Sequence, residues 1–201
     1  MESKVKQVIH FPATDFTFDS VYPDWIQALA RQHWTPLHVI RQVTDFLTSG
    51  PPAKILDIGS GAGKFCLAAA HFAPQHYFYG IEQREYVLKE ARSAQSAIGI
   101  LNVSFIHGNF TKLDFRDFDH FYFFNSFYEN LHEEGRIDNH IEYSESLYNY
   151  YVRYLHKGLS VMKVGTKIAT YHSLYREIPL SYDLVDSLEG GNLNLWIKNR
   201  P

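Results

Sequence analysis

Short apolar runs alternate along most of the chain with segments whose apolar residues recur at helical spacing. The strand-like runs cover residues 53–58, 77–81, 103–107, 121–125 and 167–171. Helical spacing is clearest in Val87, Ala91, Ala94 and Ile98, and again in Leu147, Tyr151, Tyr154 and Leu155. Strands and helices that alternate in this way predict a mostly parallel sheet covered on both faces, with right-handed crossovers.

The start of the chain departs from this alternation. We expect an irregular opening to about residue 21, followed by a helix over 24–33. Thr35 and Pro36 have the residue types of an N-cap and a first helical position, and apolar residues then recur on one face at Val39, Val43, Phe46 and Leu47. Residues 1–50 are therefore predicted to form a helical extension before a core of 51–201.

The end of the chain predicts an antiparallel hairpin, because the strand-like runs 182–188 and 193–198 are joined by a turn too short for a parallel crossover. The whole pattern predicts a three-layer, doubly wound α/β fold with a mostly parallel sheet, a C-terminal antiparallel hairpin and N-terminal helices. The chain has 201 residues, 45% of them hydrophobic, and no linker rich in Pro, Gly and Ser divides it. We therefore expect a single domain over 1–201.

Charge and cysteine content limit the classes of function. Lys and Arg number 19 against 22 Asp and Glu, for a formal net charge of -3. The overall field thus gives no strong signal for nucleic acid, although it leaves room for a local basic patch. Apolar runs are interrupted before the roughly 20 residues that span a bilayer. With the single cysteine Cys66 and no signal-peptide pattern, we expect a cytoplasmic protein without a membrane anchor.

The most informative segment follows the first strand-like run, and it has the sequence Ile55-Leu56-Asp57-Ile58-Gly59-Ser60-Gly61-Ala62-Gly63-Lys64-Phe65. Its three glycines precede an Ala-rich helical run. Because they lack side chains, a ligand can approach the backbone of the loop, including Ser60. Gly59, Gly61 and Gly63 are therefore candidate ligand-binding residues.

Two classes of nucleotide-like ligand compete for such a loop. A dinucleotide loop has the spacing G-x-G-x-x-G and receives a pyrophosphate at a helix N-terminus. Here the spacing is G-x-G-x-G, and Lys64 stands where the third glycine is expected. Asp57, two residues before the first glycine, would repel a pyrophosphate but would suit the ammonium and sulfonium groups of S-adenosylmethionine. The loop therefore favours S-adenosylmethionine.

The next two strand-like runs also end in groups that suit a nucleoside. Glu82 and Gln83 end the second run about 20 residues after the loop, where a carboxylate can accept the protons of both ribose hydroxyls. Asn109 and Phe110 follow the third run, and their amide and ring suit the amino group and the face of adenine. Three successive strand ends thus predict one cofactor site.

These residues resemble the class I, seven-stranded S-adenosylmethionine-dependent methyltransferases. The resemblance covers nearly the whole chain from about Thr35, and its motif I is Asp57-Ile58-Gly59-Ser60-Gly61-Ala62-Gly63. It implies that Glu82 holds the ribose and that Asn109, where most members have Asp, contacts adenine. The antiparallel hairpin after the fifth strand also matches the family.

The fourth strand-like run ends in Phe123-Phe124-Asn125-Ser126-Phe127-Tyr128, which corresponds in this family to the turn facing the transferable methyl. It resembles an Asn-Pro-Pro-Tyr motif without its prolines, and less specifically the Asn-containing turn of the non-SET histone-lysine methyltransferases. Both likenesses favour a nitrogen acceptor, with Asn125, Phe127 and Tyr128 as the catalytic candidates. The alternative is that the phenylalanines are core residues and that Asn125 caps the next segment.

Histidines and the polar segment after the fourth run give weaker signals. His172, after the fifth run, is a candidate base, although methyl transfer to an amine does not require one. A compact zinc spacing is absent from His132, Glu133, Glu134 and His140, so we expect no metal. Residues 129–140 are instead candidates for a mobile rim over the acceptor pocket.

The predicted function is methyl transfer from S-adenosylmethionine to an acceptor, favoured to be a nitrogen, of a small molecule or a protein. Such an in-line displacement needs alignment of both reactants and exclusion of water. One alternative is a cofactor-binding or partner-binding protein without catalysis, because the altered turn after the fourth run is where activity would be lost first. The other is a nicotinamide-dependent oxidoreductase, against which the glycine spacing and Asp57 argue.

Overall fold

The computed structural model describes residues 11–131 and 136–201. The strands of its central sheet are β1 (Lys54–Ile58), β2 (Tyr77–Glu82), β3 (Val103–His107), β4 (His120–Phe124), β5 (Lys167–Tyr171), β6 (Tyr182–Leu188) and β7 (Leu193–Lys198). They form one seven-stranded sheet in the order β3-β2-β1-β4-β5-β7-β6. The ends of all seven strands lie within one residue of the runs predicted from the sequence.

The strand order reverses beside β1. Parallel pairing joins β1 to β2 and β4, β2 to β3, and β4 to β5. Since consecutive crossovers leave β1 in opposite directions, a crevice opens at the carboxyl ends of β1 and β4, where such folds bind ligands. β7 runs antiparallel to β5 and β6, which confirms the predicted hairpin.

Helices cover both faces of the sheet. The α-helices are α1 (Asp15–Asp19), α2 (Asp24–Gln27), α3 (Ala30–His33), α4 (Leu37–Leu47), α5 (Lys64–Phe72), α6 (Glu85–Ile98) and α7 (Glu145–Ser160). Because successive strand residues point to opposite faces, Ile55 of β1 packs in the cluster with α4, α5 and α6, whereas Leu56 packs in the cluster with α7. The result is the predicted three-layer fold. Within the described residues, no helix combines the length and the apolarity that a bilayer span requires.

The N-terminal helices differ from their prediction. The opening that was expected to be irregular contains α1, and its N-cap Thr14 accepts a hydrogen bond from the Thr17 N–H at 3.2 Å. The single helix predicted over 24–33 is divided into α2 and α3. Both differences lie where helices are four or five residues long, and such short helices depend on tertiary contacts more than on local pattern.

The predicted Thr35 cap of α4 is wrong. The Thr35 hydroxyl lies 2.6 Å from the Tyr122 hydroxyl in the core, and the N–H of Leu37 donates to Oδ1 of Asp15 at 3.0 Å. A carboxylate far away in sequence thus satisfies the first turn of α4. Local pattern gives no sign of such a partner.

The N-terminal helices are attached to the loop after β1 through buried polar contacts. Lys64 is only 4% exposed, and its ammonium donates to Asp15 at 2.6 Å and to Asp19 at 2.8 Å. The Tyr22 hydroxyl donates to the carbonyl of Ala62 at 2.9 Å. Lys64, which replaces the third glycine of a dinucleotide loop, therefore anchors the N-terminal segment over the glycine loop.

Candidate active site

A cavity opens at the carboxyl edge of the sheet, where β1 to β4 end. It encloses about 1090 Å³ when its open mouth and the adjoining solvent are counted. The glycine loop and the ends of β2, β3 and β4 form its floor and sides. Its lining also includes the N-terminal residues Leu29, His33 and Trp34, residue 137 of the predicted rim, and residues 141–143 that follow the rim.

The glycine loop presents bare backbone to this cavity, as predicted. Gly59 and Gly61 lie on the wall and adopt left-handed φ values of 78° and 51°. A Cβ at Gly61 would meet no atom within 4 Å, whereas one at Gly59 would lie 2.6 Å from Cβ of Ser126. Gly61 therefore faces open space, and Gly59 allows the loop to touch the turn after β4.

Ser60 and Gly63 lie behind the wall. A Cβ at Gly63 would overlap the Phe105 ring of β3, so this glycine lets α5 begin close to the sheet. The Ser60 side chain packs against Gly80 of β2, where a Cβ would lie 2.6 Å from Oγ of Ser60. Both residues shape the loop, and neither lines the cavity.

Asp57 is buried beneath the loop. Its side chain is 3% exposed and accepts a hydrogen bond from the Cys66 thiol of α5 at 3.6 Å. Burial raises the pKa of Asp57 to about 8, which favours the protonated form of its carboxyl group at neutral pH. The expected picture of a charged Asp57 pointing into the turn is not what the structure has, since this side chain points to the α5 face and is absent from the cavity wall.

Glu82 ends β2 on the cavity wall, beside Gln83. Its Oε2 accepts a hydrogen bond from the Gly61 N–H at 3.3 Å, and its Oε1 accepts from the Arg84 N–H at 3.0 Å. A carboxylate oxygen can accept more than one hydrogen bond. Glu82 thus ties the loop to β2 and can still accept protons from a ligand hydroxyl.

Arg84 gathers carboxylates from separate parts of the chain, a cluster that sequence reasoning missed. Its guanidinium contacts Glu82 at 3.2 Å, Glu129 at 2.5 Å and Asp138 at 3.0 Å, and the Tyr143 hydroxyl donates to Glu129 at 2.9 Å. Burial opposes the charge on Arg84, but Glu129 and Glu82 outweigh it and raise the pKa of Arg84. The cluster fastens the segment after β4 to the end of β2.

The end of β3 brings Phe110 to the wall, but not Asn109. Oδ1 of Asn109 accepts from the Thr111 N–H at 3.0 Å and caps a short 3-10 turn. Its Nδ2 donates to Gln83 and to the Tyr151 hydroxyl, both at 3.0 Å. The amide oxygen expected to contact adenine is thus engaged with the backbone, and Asn109 positions Gln83 and Tyr151 instead.

The turn after β4 lines the cavity over residues 125–130. Asn125 has a left-handed φ of 42°, which Asn tolerates better than most residues. Its N–H donates to Oγ of Ser173 at 3.1 Å, and its carbonyl accepts from the Tyr128 N–H at 3.0 Å. Its half-buried side-chain amide makes no hydrogen bond to any part of the chain that the structure describes. Asn125 therefore offers a donor and an acceptor to a ligand.

The two rings predicted in this turn differ in accessibility. Phe127 is 3% exposed and packs against the rings of Phe110 at 5.2 Å and Phe123 at 4.8 Å. Tyr128 is 40% exposed. Both line the cavity, but Phe127 is a fixed part of the core, as the alternative interpretation of the phenylalanines proposed, whereas Tyr128 has an accessible ring.

His172 lies near the cavity without being part of its wall. Its ring centre is 5.6 Å from that of Phe124, which does line the cavity. Partial burial lowers the pKa of His172, so the ring is neutral and able to accept a proton at neutral pH. His172 therefore touches the predicted methyl-facing turn through Phe124, but it does not line the cavity.

Acidic groups dominate the described part of the wall. The described lining residues include the carboxylates of Glu82, Glu129 and Glu142, against the guanidinium of Arg84. His33 adds no charge, because burial and then the nearby Arg84 lower its pKa. The cavity therefore favours cationic groups and disfavours phosphates.

The segment after β4 was expected to form a rim over the cavity and to hold no metal. Among residues 11–131 and 136–201, no cluster of His, Cys, Asp or Glu side chains is arranged to hold a metal ion. His132, Glu133 and Glu134 lie outside the described residues. The described residues of the predicted rim 129–140 include Glu129 and Asp138, which Arg84 fastens beside the cavity.

The strand order and the wall together define the class of protein. Bare backbone at Gly61, a carboxylate at Glu82 and a ring at Phe110 suit a nucleoside-containing cofactor with cationic groups, on the sheet order of the class I S-adenosylmethionine-dependent methyltransferases. A family model described as a methyltransferase domain matches residues 50–172. The chain belongs to this family of methyltransferase domains, which argues against the nicotinamide-dependent alternative.

Curated relatives resemble less than half of the chain. A tRNA (guanine-N(7)-)-methyltransferase of Nostoc sp. is 31% identical over 84 residues, which are 42% of this chain and 38% of the relative. Ribosomal RNA small subunit methyltransferase G of Parabacteroides distasonis is 30% identical over 95 residues, which are 43% of this chain and 41% of the relative. The matches thus span about two fifths of the length of these relatives.

Solved structures share the fold at low sequence identity. TrmN from Thermus thermophilus has a TM-score of 0.57 and 20% identity over 86% of this chain and 51% of that one. An RNA methyltransferase from Salinibacter ruber, in complex with S-adenosyl-L-homocysteine, has a TM-score of 0.54 and 17% identity over 83% of this chain and 94% of that one. These similarities support the class I fold.

Proposed function

We propose that this protein methylates a ring nitrogen of a purine base in RNA, with N7 of guanine as the favoured atom. The observation that carries the proposal is the turn after β4, where the free amide of Asn125 and the accessible ring of Tyr128 line an acidic cavity. The curated relatives named as tRNA and rRNA methyltransferases favour RNA over the small-molecule or protein acceptor expected from the sequence.

The chemistry of guanine N7 suits this wall. N7 carries an in-plane lone pair and no proton, so its methylation needs no base, and it leaves a positive charge on the ring. The carboxylates of Glu82, Glu129 and Glu142 would stabilise that charge as it develops. The Asn125 amide can donate to guanine O6, which lies beside N7, and the Tyr128 ring can stack on an unpaired base.

The cofactor-binding residues divide into two groups under this proposal. Those on the wall, which would contact S-adenosylmethionine, are Gly59, Gly61, Glu82, Gln83 and Phe110. Those behind the wall, which would position them, are Asp57, Ser60, Gly63 and Asn109. The bound cofactor supplies an electrophilic methyl group on a sulfonium. The protein's part is to align the acceptor with that methyl and to exclude water beneath the N-terminal helices and the rim.

Radiolabelled methyl transfer from S-adenosylmethionine tests the proposal. The purified protein is incubated separately with total tRNA, ribosomal RNA, a protein fraction and a small-molecule fraction from cell extract. We expect label in RNA, released by nuclease as 7-methylguanosine, and at least about tenfold less with Asn125→Gly. Label that resists nuclease but is released by protease would overturn the proposal, and so would tight cofactor binding with no labelled fraction.

A further inference from the structure

A second groove lies outside the cavity, between α7 and the short 3-10 turns that follow β3. It encloses about 920 Å³ when its open side is counted, and Lys112, Arg116, Tyr154 and Lys157 are among the residues that line it. Arg116 is neutralised by Asp114, which its guanidinium contacts at 2.7 Å. Lys112 and Lys157 give the groove its positive charge.

The outward face of α7 beside this groove alternates rings and cations. Tyr150, Arg153, Tyr154 and Lys157 follow one another at positions i, i+3, i+4 and i+7, so they share one face of the helix. Tyr150 is 46% exposed, and its ring centre lies 6.4 Å from that of Tyr154. Arg153 and Lys157 are exposed. We refer to these four residues as the 150–157 face.

Apart from Arg116, three cations of this region have no charged or hydrogen-bonded partner in the part of the chain that the structure describes. The side chains of Lys112, Arg153 and Lys157 form no ion pair or hydrogen bond with residues 11–131 or 136–201, whereas Lys163, just beyond α7, is held by Asp119 at 2.9 Å. In a chain with a net charge of -3, uncompensated cations gathered on one side create a local positive field. Such a field attracts a polyanion.

We propose that the groove and the 150–157 face bind the RNA acceptor outside the cavity, an inference that rests on the proposed function. Exposed cations neutralise phosphates, and exposed rings stack on unpaired bases. The ring of Tyr154 lies 5.8 Å from that of Phe110, which lines the cavity, so groove and cavity are separated by one layer of rings. Since the cavity wall is acidic, the phosphates must be held elsewhere, and this face supplies the positive charge.

Charge reversal of the two groove lysines tests this proposal. The variant carries Lys112→Glu and Lys157→Glu. The matched control carries Lys54→Glu and Lys89→Glu, which are exposed lysines that do not line the groove and form no ion pair with the described residues. Affinity for total tRNA is measured by fluorescence anisotropy at several salt concentrations. S-adenosylmethionine affinity is measured by calorimetry, and methyl transfer to tRNA is measured with radiolabel.

We expect the groove variant to bind tRNA at least about tenfold more weakly, with a salt slope shallower by about 1 for each lysine. Its S-adenosylmethionine affinity should equal that of the wild type. The control variant should also lose tRNA affinity, but on a logarithmic scale its loss should be less than about a third of that of the groove variant. If the groove variant and the wild type bind tRNA equally well and both methylate it, the proposed role of the groove is overturned and the proposed function stays intact. If the wild-type protein methylates no RNA at all, the proposed function itself is overturned. If the wild type instead labels a protein fraction, and the groove variant labels it less, the groove binds an acidic protein and not RNA.

Discussion

The two walls of the cavity are built differently. On the β1–β2 wall, polar side chains bond to neighbours, as Glu82 does to Gly61 and Arg84, and backbone faces the cavity at Gly61. On the β4 wall, formed by residues 125–130, the Asn125 amide is free and the Tyr128 ring is accessible. The polar side chains of the first wall are held by internal bonds. The second wall, although Arg84 holds its Glu129, presents the Asn125 amide and the Tyr128 ring to the cavity.

This difference separates cofactor binding from acceptor choice. A wall made of backbone requires glycines and tight turns at fixed spacing, whatever the acceptor. A wall made of side chains on a turn can change with the substrate while the fold stays the same. Substitutions on the β1–β2 wall should therefore alter stability and cofactor affinity, and substitutions on the β4 wall should alter turnover.

The largest effect is expected at Arg84. Arg84→Met removes the guanidinium that compensates Glu82, Glu129 and Asp138. Because the buried Glu82 and the partly buried Glu129 and Asp138 would lose their counter-charge, the free energy of unfolding should fall by about 3–5 kcal/mol, measured by urea denaturation. Arg92→Met is the control, since its pair with Glu85 is exposed, and it should lose less than about 1 kcal/mol. Similar losses in both variants would contradict a structural role of the Arg84 cluster.

The next effect is expected on the cofactor side at Gly61. Gly61→Arg fills the open space in front of the loop and adds a positive charge beside a cationic ligand. We expect affinity for S-adenosylmethionine to fall by about 100-fold or more, which is about 2.7 kcal/mol, measured by calorimetry. Gly61→Ala is the control, because its Cβ meets no atom within 4 Å, and the left-handed backbone should cost only about 1 kcal/mol of stability. Equal affinities of the two variants would show that the loop does not contact the cofactor.

The same comparison explains how much of the molecule was predictable. Strand ends were predicted to within one residue, because buried parallel strands leave continuous apolar runs between turn residues. The backbone wall was predicted from its glycines, because the spacing of Gly59, Gly61 and Gly63 directly indicates the conformation of the loop. Predictions failed for contacts between groups that are distant in sequence. The start of α4 is one example, because Asp15 accepts the hydrogen bond that was expected to go to a local cap.

Side-chain direction was the second limit. Asp57 and Asn109 have the right positions in the chain, yet Asp57 turns to Cys66 and Asn109 caps its own turn. Arg84 gave no signal because Glu129 and Asp138 approach it through the fold. Position along a strand is encoded locally, whereas the choice between a ligand and a protein partner depends on packing.

A smaller effect, confined to turnover, is expected at Asn125. Asn125→Gly removes the amide but keeps the left-handed backbone, which glycine adopts without strain. We expect kcat/KM for RNA to fall by about 10- to 100-fold through misplacement of the acceptor, with S-adenosylmethionine affinity unchanged. Asn125→Asp keeps the shape of the side chain but removes its hydrogen-bond donor, so this variant should show a similar loss of kcat/KM for RNA. A parallel loss of cofactor affinity would mean that the β4 wall also holds the cofactor.

The smallest effect on binding is expected at Asp57, although it is part of motif I. Burial raises its pKa to about 8 from an ordinary value of 3.8, so the folded state holds the proton more tightly than the unfolded state. The free energy of unfolding of the wild type should therefore fall as pH rises from about 4 to about 8. Asp57→Asn cannot ionise and should lack this loss, as thermal unfolding across that pH range would reveal.

The cofactor affinity of the same variant decides what Asp57 does. Because its side chain faces Cys66 rather than the cavity, Asp57→Asn should bind S-adenosylmethionine within about threefold of the wild type at pH 7, or about 0.7 kcal/mol. A carboxylate that reached the cofactor's ammonium would ionise on binding and release a proton. Calorimetry in buffers of different ionisation enthalpy detects that proton. Its release by the wild type, together with a large loss of affinity in Asp57→Asn, would mean that the β1–β2 wall holds its ligand with a side-chain charge as well as with backbone.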